Sequence, residues 1–587
     1  MEPSSLKKGK KAFRFAAGIS LVVVFFFAFL FILRGQPWIS WGKKSPPLRD
    51  STPIDDPTGQ ISSTLSPSQT DSSEENQATW TSRPTPTPPP KTIWIDPALP
   101  DALKNRFQIP PDFSLLDQRK GASIILTLGD QSVVGYWSYA LVCPFPSLRE
   151  GVQSSDLKLY WEGDRVGGFT QPLTVDEETI NVFFSWWGPP SEESIVVLPQ
   201  DEIADALWPD PTNWAIIPFQ DLVPRWKVLA VQDQKPIHKD YDPENAILSV
   251  PISLSGPPSF ISEIIALNPS FSNRDPEKMT TVLLTGVTAL VRDTAALMEK
   301  NGITYPAEHI AGLLRSADFT HISNEVPFAS DCPTPDPNQP DLYFCSDDQY
   351  LDLLEFVGTD IVELSGDHFG DWGDQAMLHT LQLYKQQGWL TYGGGKTLED
   401  GLQPITLEHH GNRFAFIGCN AKVSEKYATA SESTPGAARC DYPWMIQEIQ
   451  RLKDDGYITV ATLQHEEVYQ YPAVYIQKRD FRKLAEAGAN IVSGSQAHQP
   501  QAMEFHDNSF IHYGLGNLFF DQFYLSQRVD TYQHADEAFL DLHVFYDNRH
   551  ISTDLFTIQF LDNAQSRFHT AEERADLLSS VFTASDW

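Results

Sequence analysis

Carboxylate, amide and imidazole side chains recur at the ends of predicted strands in the C-terminal half of this 587-residue chain. Carboxylate oxygens and imidazole nitrogens together are a donor set that suits Zn²⁺, Mn²⁺ or iron. A metal held by them would polarise a phosphoryl oxygen or activate water near neutral pH. The four groups are Asn324 with Glu325, Asp367 with His368, His465 with Glu466, and His498.

A single histidine at a strand end is more often structural than a ligand. Four polar groups at four strand ends instead favour one shared site, because ligands of an open α/β sheet bind beyond the carboxyl ends of its strands. Residues 460–522 show the pattern most clearly. The apolar runs 457–463, 491–492 and 510–513 are each followed by polar or glycine residues. A helical pattern around Phe481 lies between the first two runs and ends at Gly488.

The strands that carry the other groups lie further towards the N-terminus. Apolar runs at 281–284, 318–322 and 360–364 are predicted strands, and the last two precede the acidic groups. Helical patterns cover 289–300, 350–357, 374–387 and 442–453. Turn signals at Gly411-Asn412 and Asp547-Asn548 predict two hairpins. Residues 277–565 are therefore expected to form an α/β domain, and 566–587 a C-terminal helix.

Five stretches of this domain carry a family resemblance. They read ADFTHISNEVPF at 317–328, DIVELSGDHFGDWG at 360–373, TYGGG at 391–395, QHEEVYQY at 464–471, and AGANIVSGSQAHQPQ at 487–501 followed by IHYGLGNLFFDQ at 511–522. In this order, residues 280–522 resemble the CapA family of capsule or poly-γ-glutamate synthesis proteins. The resemblance implies a calcineurin-like metallophosphatase fold, which is a four-layer α/β/β/α sandwich. It also implies a membrane-anchored extracellular protein that takes part in making or exporting an anionic polymer.

Four positions depart from the family pattern. Val287 stands where the first strand normally supplies a metal-binding aspartate, and Asp367 replaces the asparagine of an Asn-His pair. Gln496 replaces the first of two histidines spaced two apart, and Glu466-Glu467 replace a Trp-Gly-Glu pattern. Losing ligands weakens a metal site, so the remaining set suits one metal better than two.

On this resemblance, the remaining residues receive roles. His368 is expected to transfer a proton or stabilise an oxyanion, and other histidines near the strands, such as His512, are expected to be structural. The expected cofactor is one divalent metal, Mn, Fe or Zn. The expected metal ligands are Glu325, Asp367, His465 and His498, and the expected binding residues are Asn324, Gln496 and Asn517.

Two functions stay open at this point. The first is a metal-dependent phosphoesterase-like hydrolase that acts outside the membrane, motivated by the polar strand ends. The second is a non-catalytic polymer-binding or scaffold protein of cell-envelope assembly, motivated by Val287. The sequence leaves open whether the chain is an enzyme; an anionic polymer or other cell-envelope synthesis proteins are its expected partners.

The N-terminus predicts a membrane anchor. A basic tail, residues 1–14, precedes an uncharged apolar run at 15–33 that is long enough to cross a bilayer. The basic residues favour a cytoplasmic N-terminus and an extracellular remainder. A cleaved signal peptide is the alternative, but no Ala-x-Ala cleavage site follows. Residues 34–92 are rich in Pro, Ser and Thr and predict a disordered linker that ends in a stiff stalk.

Composition excludes nucleic acid as a partner. The formal net charge is −34, which is the wrong sign for binding phosphate backbones.

Residues 93–262 alternate short strands and helical runs and resemble one lobe of a periplasmic-binding-type domain. Their tryptophans are expected in the core, although an aromatic ligand cleft is the alternative.

The five cysteines predict two disulfides. Cys332 and Cys345 bracket a Pro/Asp-rich loop, and Cys419 and Cys440 bracket a Ser/Thr/Gly-rich loop. Both pairs would require an oxidising compartment, which agrees with an extracellular domain. Free thiols are the alternative. Cys143 is left over and is expected to be a small buried residue.

Overall fold

The structure is a computed structural model that describes residues 90–422, 426, 428–522 and 534–587. The predicted tail 1–14, membrane helix 15–33 and nearly all of the linker 34–92 lie outside these residues, so those predictions are not tested. Within the described ranges, no helix is both long and apolar enough to span a bilayer.

The N-terminal part, up to residue 267, is a mixed α/β region. Its helices are α1 (Asp101–Arg106), α2 (Ser154–Glu162), α3 (Glu177–Trp187), α4 (Gln200–Leu207) and α5 (Pro258–Leu267). Its strands are β1 (Thr92–Ile95), β2 (Ser114–Leu115), β3 (Ile124–Leu128), β4 (Val133–Pro144), β5 (Gly151–Val152), β6 (Leu173–Val175), β7 (Ile195–Val197), β8 (Trp214–Pro218), β9 (Trp226–Val228), β10 (Ala230–Val231) and β11 (Ser249–Ser255).

One sheet organises this region. Its strand order is β2-β1-β3-β11-β4-β8-β6-β7, with β9 also paired to β4. The long strand β4 is buried over most of its length because apolar residues occupy both of its faces, as expected for a central strand. Trp137, Trp161 and Trp214 are buried in the core around it, as the core interpretation of the tryptophans predicted.

The C-terminal part contains the predicted α/β domain. Its helices are α6 (Arg292–Asn301), α7 (Ala311–Leu314), α8 (Leu351–Phe356), α9 (Gly373–Gln387), α10 (Leu398–Leu402), α11 (Tyr442–Asp454), α12 (Tyr475–Ala487) and α13 (Ala571–Ala584). Its strands are β12 (Met279–Thr285), β13 (Val287–Thr288), β14 (Phe319–Asn324), β15 (Thr359–Glu363), β16 (Leu390–Tyr392), β17 (Gly394–Gly395), β18 (Ile405–His409), β19 (Asn412–Asn420), β20 (Gly436–Ala437), β21 (Ile458–Gln464), β22 (Ile491–Gly494), β23 (Met503–His506), β24 (Ser509–His512), β25 (Asn517–Phe519), β26 (Glu537–Tyr546), β27 (Arg549–Phe560) and β28 (Ser566–Phe568).

Two sheets form the centre of this part. The first has the order β16-β15-β14-β12-β26-β27-β28, with β13 and β25 attached, and the second has the order β18-β19-β21-β22-β24-β23. Val282 and Leu284 of the first sheet share one apolar cluster with Phe414 and Val460 of the second. The sheets therefore pack face to face, and burying both faces requires helices on the outside.

Helices cover the two outer faces. Met298 of α6, Leu354 of α8 and Met377 of α9 pack on the first sheet. Ile449 of α11 and Phe481 of α12 pack on the second. The layers are thus helix, sheet, sheet and helix, and the predicted α/β class is confirmed. α12 ends at Gly488, whose φ of +112° is a left-handed conformation that favours glycine, as the sequence pattern predicted.

Both predicted disulfides are present. Cys332 is bonded to Cys345, and Cys419 is bonded to Cys440. The second bond ties the end of β19 to the residues just before α11, so it closes the loop between them. Cys143 is a buried free thiol, as expected.

The two parts pack against each other through apolar and ionic contacts. Phe219 contacts Tyr546 with their ring centroids 4.9 Å apart. The ammonium of Lys235 lies 2.7 Å from the carboxylate of Asp554 on β27, and only about a tenth of either side chain is exposed. Burial opposes ionisation of Asp554, but the Lys235 charge and the His238 hydrogen bond outweigh it, so the pKa of Asp554 is lowered.

We predict that Asp554→Asn lowers the free energy of unfolding by about 3 kcal/mol, because Lys235 loses its buried partner. A carboxyl group whose pKa is lowered by folding stabilises the protein at pH values above its unfolded pKa. The difference in the free energy of unfolding between wild type and variant therefore narrows as pH falls below about 4. Urea unfolding at several pH values measures both effects. Asp205→Asn is the control, since the Asp205 side chain is 78% exposed. An equal loss of unfolding free energy in Asp554→Asn and Asp205→Asn would contradict the prediction.

Candidate functional site

The C-terminal ends of β14 in the first sheet and β21 in the second meet at one edge of the domain, which is called the rim below. Glu325 directly follows β14 of the first sheet, and Gln464 is the last residue of β21 in the second. The Gln464 side-chain amide donates a hydrogen bond to Glu325 Oε1 at 3.1 Å. It also donates to the Gln496 side-chain oxygen and lies 3.5 Å from Asp367 Oδ1. Gln464 therefore joins the two sheets at the place where the predicted acidic residues gather.

Three predicted site residues form a compact group at this rim. One possible ligand atom from each of Glu325, Asp367 and His368 lies within 4.8 Å of the others. Glu325 is 1% and Asp367 is 4% exposed, so both carboxylates are buried. The structure thus brings together residues that are 42 positions apart in the chain.

A glycine allows this close approach. A Cβ atom on Gly366 would lie 2.5 Å from the Cα of Glu325, which is closer than two such atoms can come. Any other residue at 366 would push the loop after β15 away from the loop after β14. Gly366 therefore permits the contact between the two ligand-bearing loops.

The two carboxylates differ in protonation. Burial and the charge of Asp367 raise the pKa of Glu325 well above its usual range. Burial opposes ionisation of Asp367 as well, but hydrogen bonding from Glu325 and the positive charges of His368 and Lys422 lower its pKa. The neighbouring charges therefore favour the ionised form of Asp367 and the neutral form of Glu325, because two buried carboxylates this close do not both ionise readily.

The orientation of His368 is fixed by an acid. Its Nδ1 lies 2.7 Å from Asp371 Oδ2, which also accepts a hydrogen bond from the backbone N–H of Phe344 at 2.9 Å. Burial disfavours the charged imidazole, but the Asp371 hydrogen bond and the charge of Asp367 outweigh it, so the pKa of His368 is raised. This arrangement leaves Nε2 of His368 for a ligand or for proton transfer.

This group fits one divalent metal ion. It offers carboxylate oxygens and an imidazole nitrogen, which is a donor set that Mn²⁺, Fe²⁺ or Zn²⁺ accepts. Among the described residues, the buried Glu325 Oε2 has no hydrogen-bond partner, and a coordinating ion would satisfy it. His368 lies beside these carboxylates, with its Nδ1 held by Asp371.

His465 points towards helix α12. Its Nε2 lies 3.3 Å from Asp480 Oδ2, and its ring contacts Phe481 at a centroid distance of 5.8 Å. Burial lowers the pKa of His465 despite the neighbouring Asp480. The contact between His465 and Asp480 therefore joins the rim to helix α12. Asp480 also accepts hydrogen bonds from Arg479 and Lys483 of the same helix. The structure does not bring His465 into the three-residue group.

His498 lies beside the group with its Nδ1 engaged. The Nδ1 atom is 2.9 Å from Asn517 Oδ1, and the ring contacts Phe520 at 5.3 Å. Burial lowers the pKa of His498, although Glu467 and the Asn517 hydrogen bond act in the opposite direction. The surroundings therefore favour the neutral imidazole, and Asn517 is its hydrogen-bond partner.

The remaining predicted residues divide between two places. Gln496 belongs to the rim through its hydrogen bond from Gln464. The amide of Asn324 donates to the Tyr384 hydroxyl at 2.7 Å and to the Val326 carbonyl at 2.6 Å, so it faces helix α9 instead. Its side chain thus fixes the end of β14.

Val287 fills its position with apolar contacts. It is fully buried in a cluster with Val326, Phe344 and Phe520. Its strand β13 is paired with β14 and β25. No carboxylate enters the group from this position, which agrees with a site for one ion.

Sequence reasoning did not identify Gln464, Asp371 and Lys422. Asp371 follows His368 by three residues, and Gln464 directly precedes His465, so both stood beside residues that were singled out. Lys422 lies just beyond the end of β19, and its ammonium contacts Asp367 Oδ2 at 2.6 Å. A search for metal ligands alone passes over a lysine, although its position after a strand was a usable signal.

Known proteins match the same part of the chain. Residues 281–522 match the family model described as bacterial capsule synthesis protein PGA_cap. The capsule biosynthesis protein CapA of Bacillus anthracis is 22% identical over 43% of this chain and 62% of its own length. The PGA biosynthesis protein CapA of Bacillus subtilis is 24% identical over 38% of this chain and 59% of its own length. The chain therefore spans about 60% of these curated relatives.

Solved structures give more distant likenesses. An NAD nucleotidase from Haemophilus influenzae aligns at TM-score 0.28 and 9% identity, over 52% of this chain and 56% of that one. A sulfate thiohydrolase from Thermus thermophilus aligns at TM-score 0.27 and 10% identity, over 50% of each chain. An ABC-type phosphate transport receptor from Vibrio cholerae aligns at TM-score 0.25 and 13% identity, over 31% of this chain and 93% of that one. All three TM-scores are below 0.5, so no conclusion is drawn from them.

The family match covers the stretches in which the sequence motifs lie. The predicted resemblance is confirmed: residues 281–522 are similar to bacterial capsule synthesis proteins, and the two named relatives are both called CapA.

Proposed function

We propose that this chain takes part in the synthesis or export of a capsule or poly-γ-glutamate-type polymer as a membrane-anchored extracellular protein. The family match and the relatives' names support the process. The two disulfides support an oxidising compartment, and the apolar run 15–33 supports the anchor. The same proposal gives the C-terminal part a calcineurin-like metallophosphatase fold, supported by its helix, sheet, sheet and helix layers.

We further propose that the rim is a one-metal, phosphoesterase-like hydrolytic site. The observation that carries this proposal is the buried group of Glu325, Asp367 and His368 at the place where two sheets meet. A divalent metal bound there would supply a Lewis acid for a phosphoryl oxygen. Both carboxylates would hold it, and Gln464 orients Glu325 through its amide.

Within this proposal, His368 is the residue that moves a proton. Asp371 fixes the imidazole through Nδ1, which leaves Nε2 as the nitrogen that can give a proton to a leaving oxygen while water attacks phosphorus.

A non-catalytic role in polymer binding or scaffolding is the second candidate. It is favoured by Val287, whose apolar contacts replace a carboxylate of the family pattern. In that role the rim would hold an anionic segment of polymer without cleaving it. Turnover of an aryl phosphate by the purified protein separates the two candidates, because only the first predicts metal-dependent release of phosphate.

We predict that Glu325→Gln and Asp367→Asn each weaken Mn²⁺ binding by at least about tenfold, because each removes a charged ligand. Titration calorimetry on the purified chain measures the affinity. His465→Gln should bind Mn²⁺ like the wild type, since His465 faces Asp480. Glu408→Gln, which changes an exposed carboxylate, is the matched control. The prediction fails if His465→Gln weakens binding as much as Asp367→Asn does.

We also predict that Asp371→Asn lowers metal-dependent aryl phosphate hydrolysis by about 10- to 100-fold, because His368 loses the acid that orients it. Mn²⁺ affinity should fall by less than it does in Asp367→Asn, since Asp371 is outside the three-residue group. Steady-state kinetics with saturating Mn²⁺ gives the rate, and Asp374→Asn in the first turn of α9 is the control. Equal rates in wild type and Asp371→Asn would contradict the assignment of His368.

A further inference from the structure

Lys422 is held opposite Asp367 by three structural elements. It follows β19, which pairs in register with β21, so that Asn420 is opposite Gln464. The Asn420 side chain accepts a hydrogen bond from the Lys422 backbone N–H at 3.0 Å and donates one to the Ser365 carbonyl at 2.8 Å. The bond between Cys419 and Cys440 fixes the same strand end.

The ammonium of Lys422 is engaged with the acids of the rim. It lies 2.6 Å from Asp367 Oδ2 and 3.8 Å from Glu467 Oε2. The Lys422 side chain is only 12% exposed, and the carboxylate of Asp367 is 1% exposed. A charge pair this well buried is screened far less by salt than a surface pair is.

This pairing has a consequence for the number of metal ions. A carboxylate can ligate two cations by using one oxygen for each. In Asp367, Oδ2 is paired with the Lys422 ammonium, and Oδ1 faces the Gln464 amide. A second divalent ion on the Oδ2 side would displace a fixed positive charge or lie next to it, and Val287 supplies no carboxylate to compensate for the repulsion.

We propose that Lys422 is a built-in cation of the site, which limits the site to one divalent ion and supplies the second positive charge for an oxyanion ligand. The inference rests on the proposed metal site, since it concerns the same rim. An oxyanion such as phosphate would then be held between the metal and the Lys422 ammonium. A lysine suits this use because it acts as a compact point charge on a flexible stem.

Titration calorimetry with Mn²⁺ tests the proposal on the purified full chain. The wild type should bind one Mn²⁺ per chain. Lys422→Gln and Lys422→Met should bind Mn²⁺ about tenfold more tightly or take up a second ion, because the neighbouring positive charge is gone. Lys422→Arg keeps the charge and should stay close to the wild type. Lys396→Gln, a change at an exposed lysine of the same domain, should have no effect.

Inorganic phosphate provides a second readout that does not need the metal result. In the presence of Mn²⁺, and also in its absence, phosphate should bind wild type and Lys422→Arg at least about tenfold more tightly than Lys422→Gln. The thermal unfolding midpoint of each variant, measured alongside, shows that the comparison is made on folded protein. Two neutral variants are used so that the result does not depend on the folding of one.

The outcomes separate the two proposals. If no variant binds Mn²⁺ but phosphate binding still depends on the charge at 422, the metal site and the limit to one ion are wrong, and the role of Lys422 in binding an oxyanion stands. If Mn²⁺ binds to the wild type and the neutral variants alike, in affinity and in number, and phosphate binding is also unchanged, the role of Lys422 is overturned while the metal site stands.

Discussion

The contact between two buried carboxylates at the rim is the constraint on which the site depends. Glu325 and Asp367 come from loops after neighbouring parallel strands, and Gly366 lets those loops approach. Ionised carboxylates in a buried setting are costly unless positive charge or protons compensate for them. The Lys422 ammonium supplies positive charge by pairing with Asp367, and the raised pKa of Glu325 favours its neutral form. The same arrangement is suited to receive a divalent cation.

The fold delivers these groups to one place through its layers. Two sheets packed face to face bring strand ends from both to the same rim, and Gln464 connects them there. Helix α12 contacts the rim on the side of the second sheet, where Asp480 binds His465. The disulfide at Cys419 fixes the strand end that carries Lys422. The candidate ligands therefore lie at strand ends and not on a long loop, which is the arrangement that holds ligand geometry best.

Local sequence patterns were enough to predict the α/β class, the main strands, both disulfides and the end of α12 at Gly488. These features follow from apolar periodicity, cysteine spacing and glycine conformation, which act over short stretches. The convergence of Glu325, Asp367 and His368 also followed, because parallel strands end at one edge of a sheet. The direction of His465 did not follow, since a turn decides whether a side chain faces the rim or the helix. Lys422 was missed because the candidate residues were chosen as metal ligands, and a lysine is not one.

The central claim is that the rim holds a single metal ion beside a lysine. Anomalous X-ray diffraction from crystals of the protein soaked in Mn²⁺ tests it most directly. The account predicts one strong anomalous peak within bonding distance of Glu325 and Asp367 and beside His368, with the Lys422 ammonium still on Asp367. Two peaks at the rim, or a peak bound by His465 and not by Asp367, would contradict it.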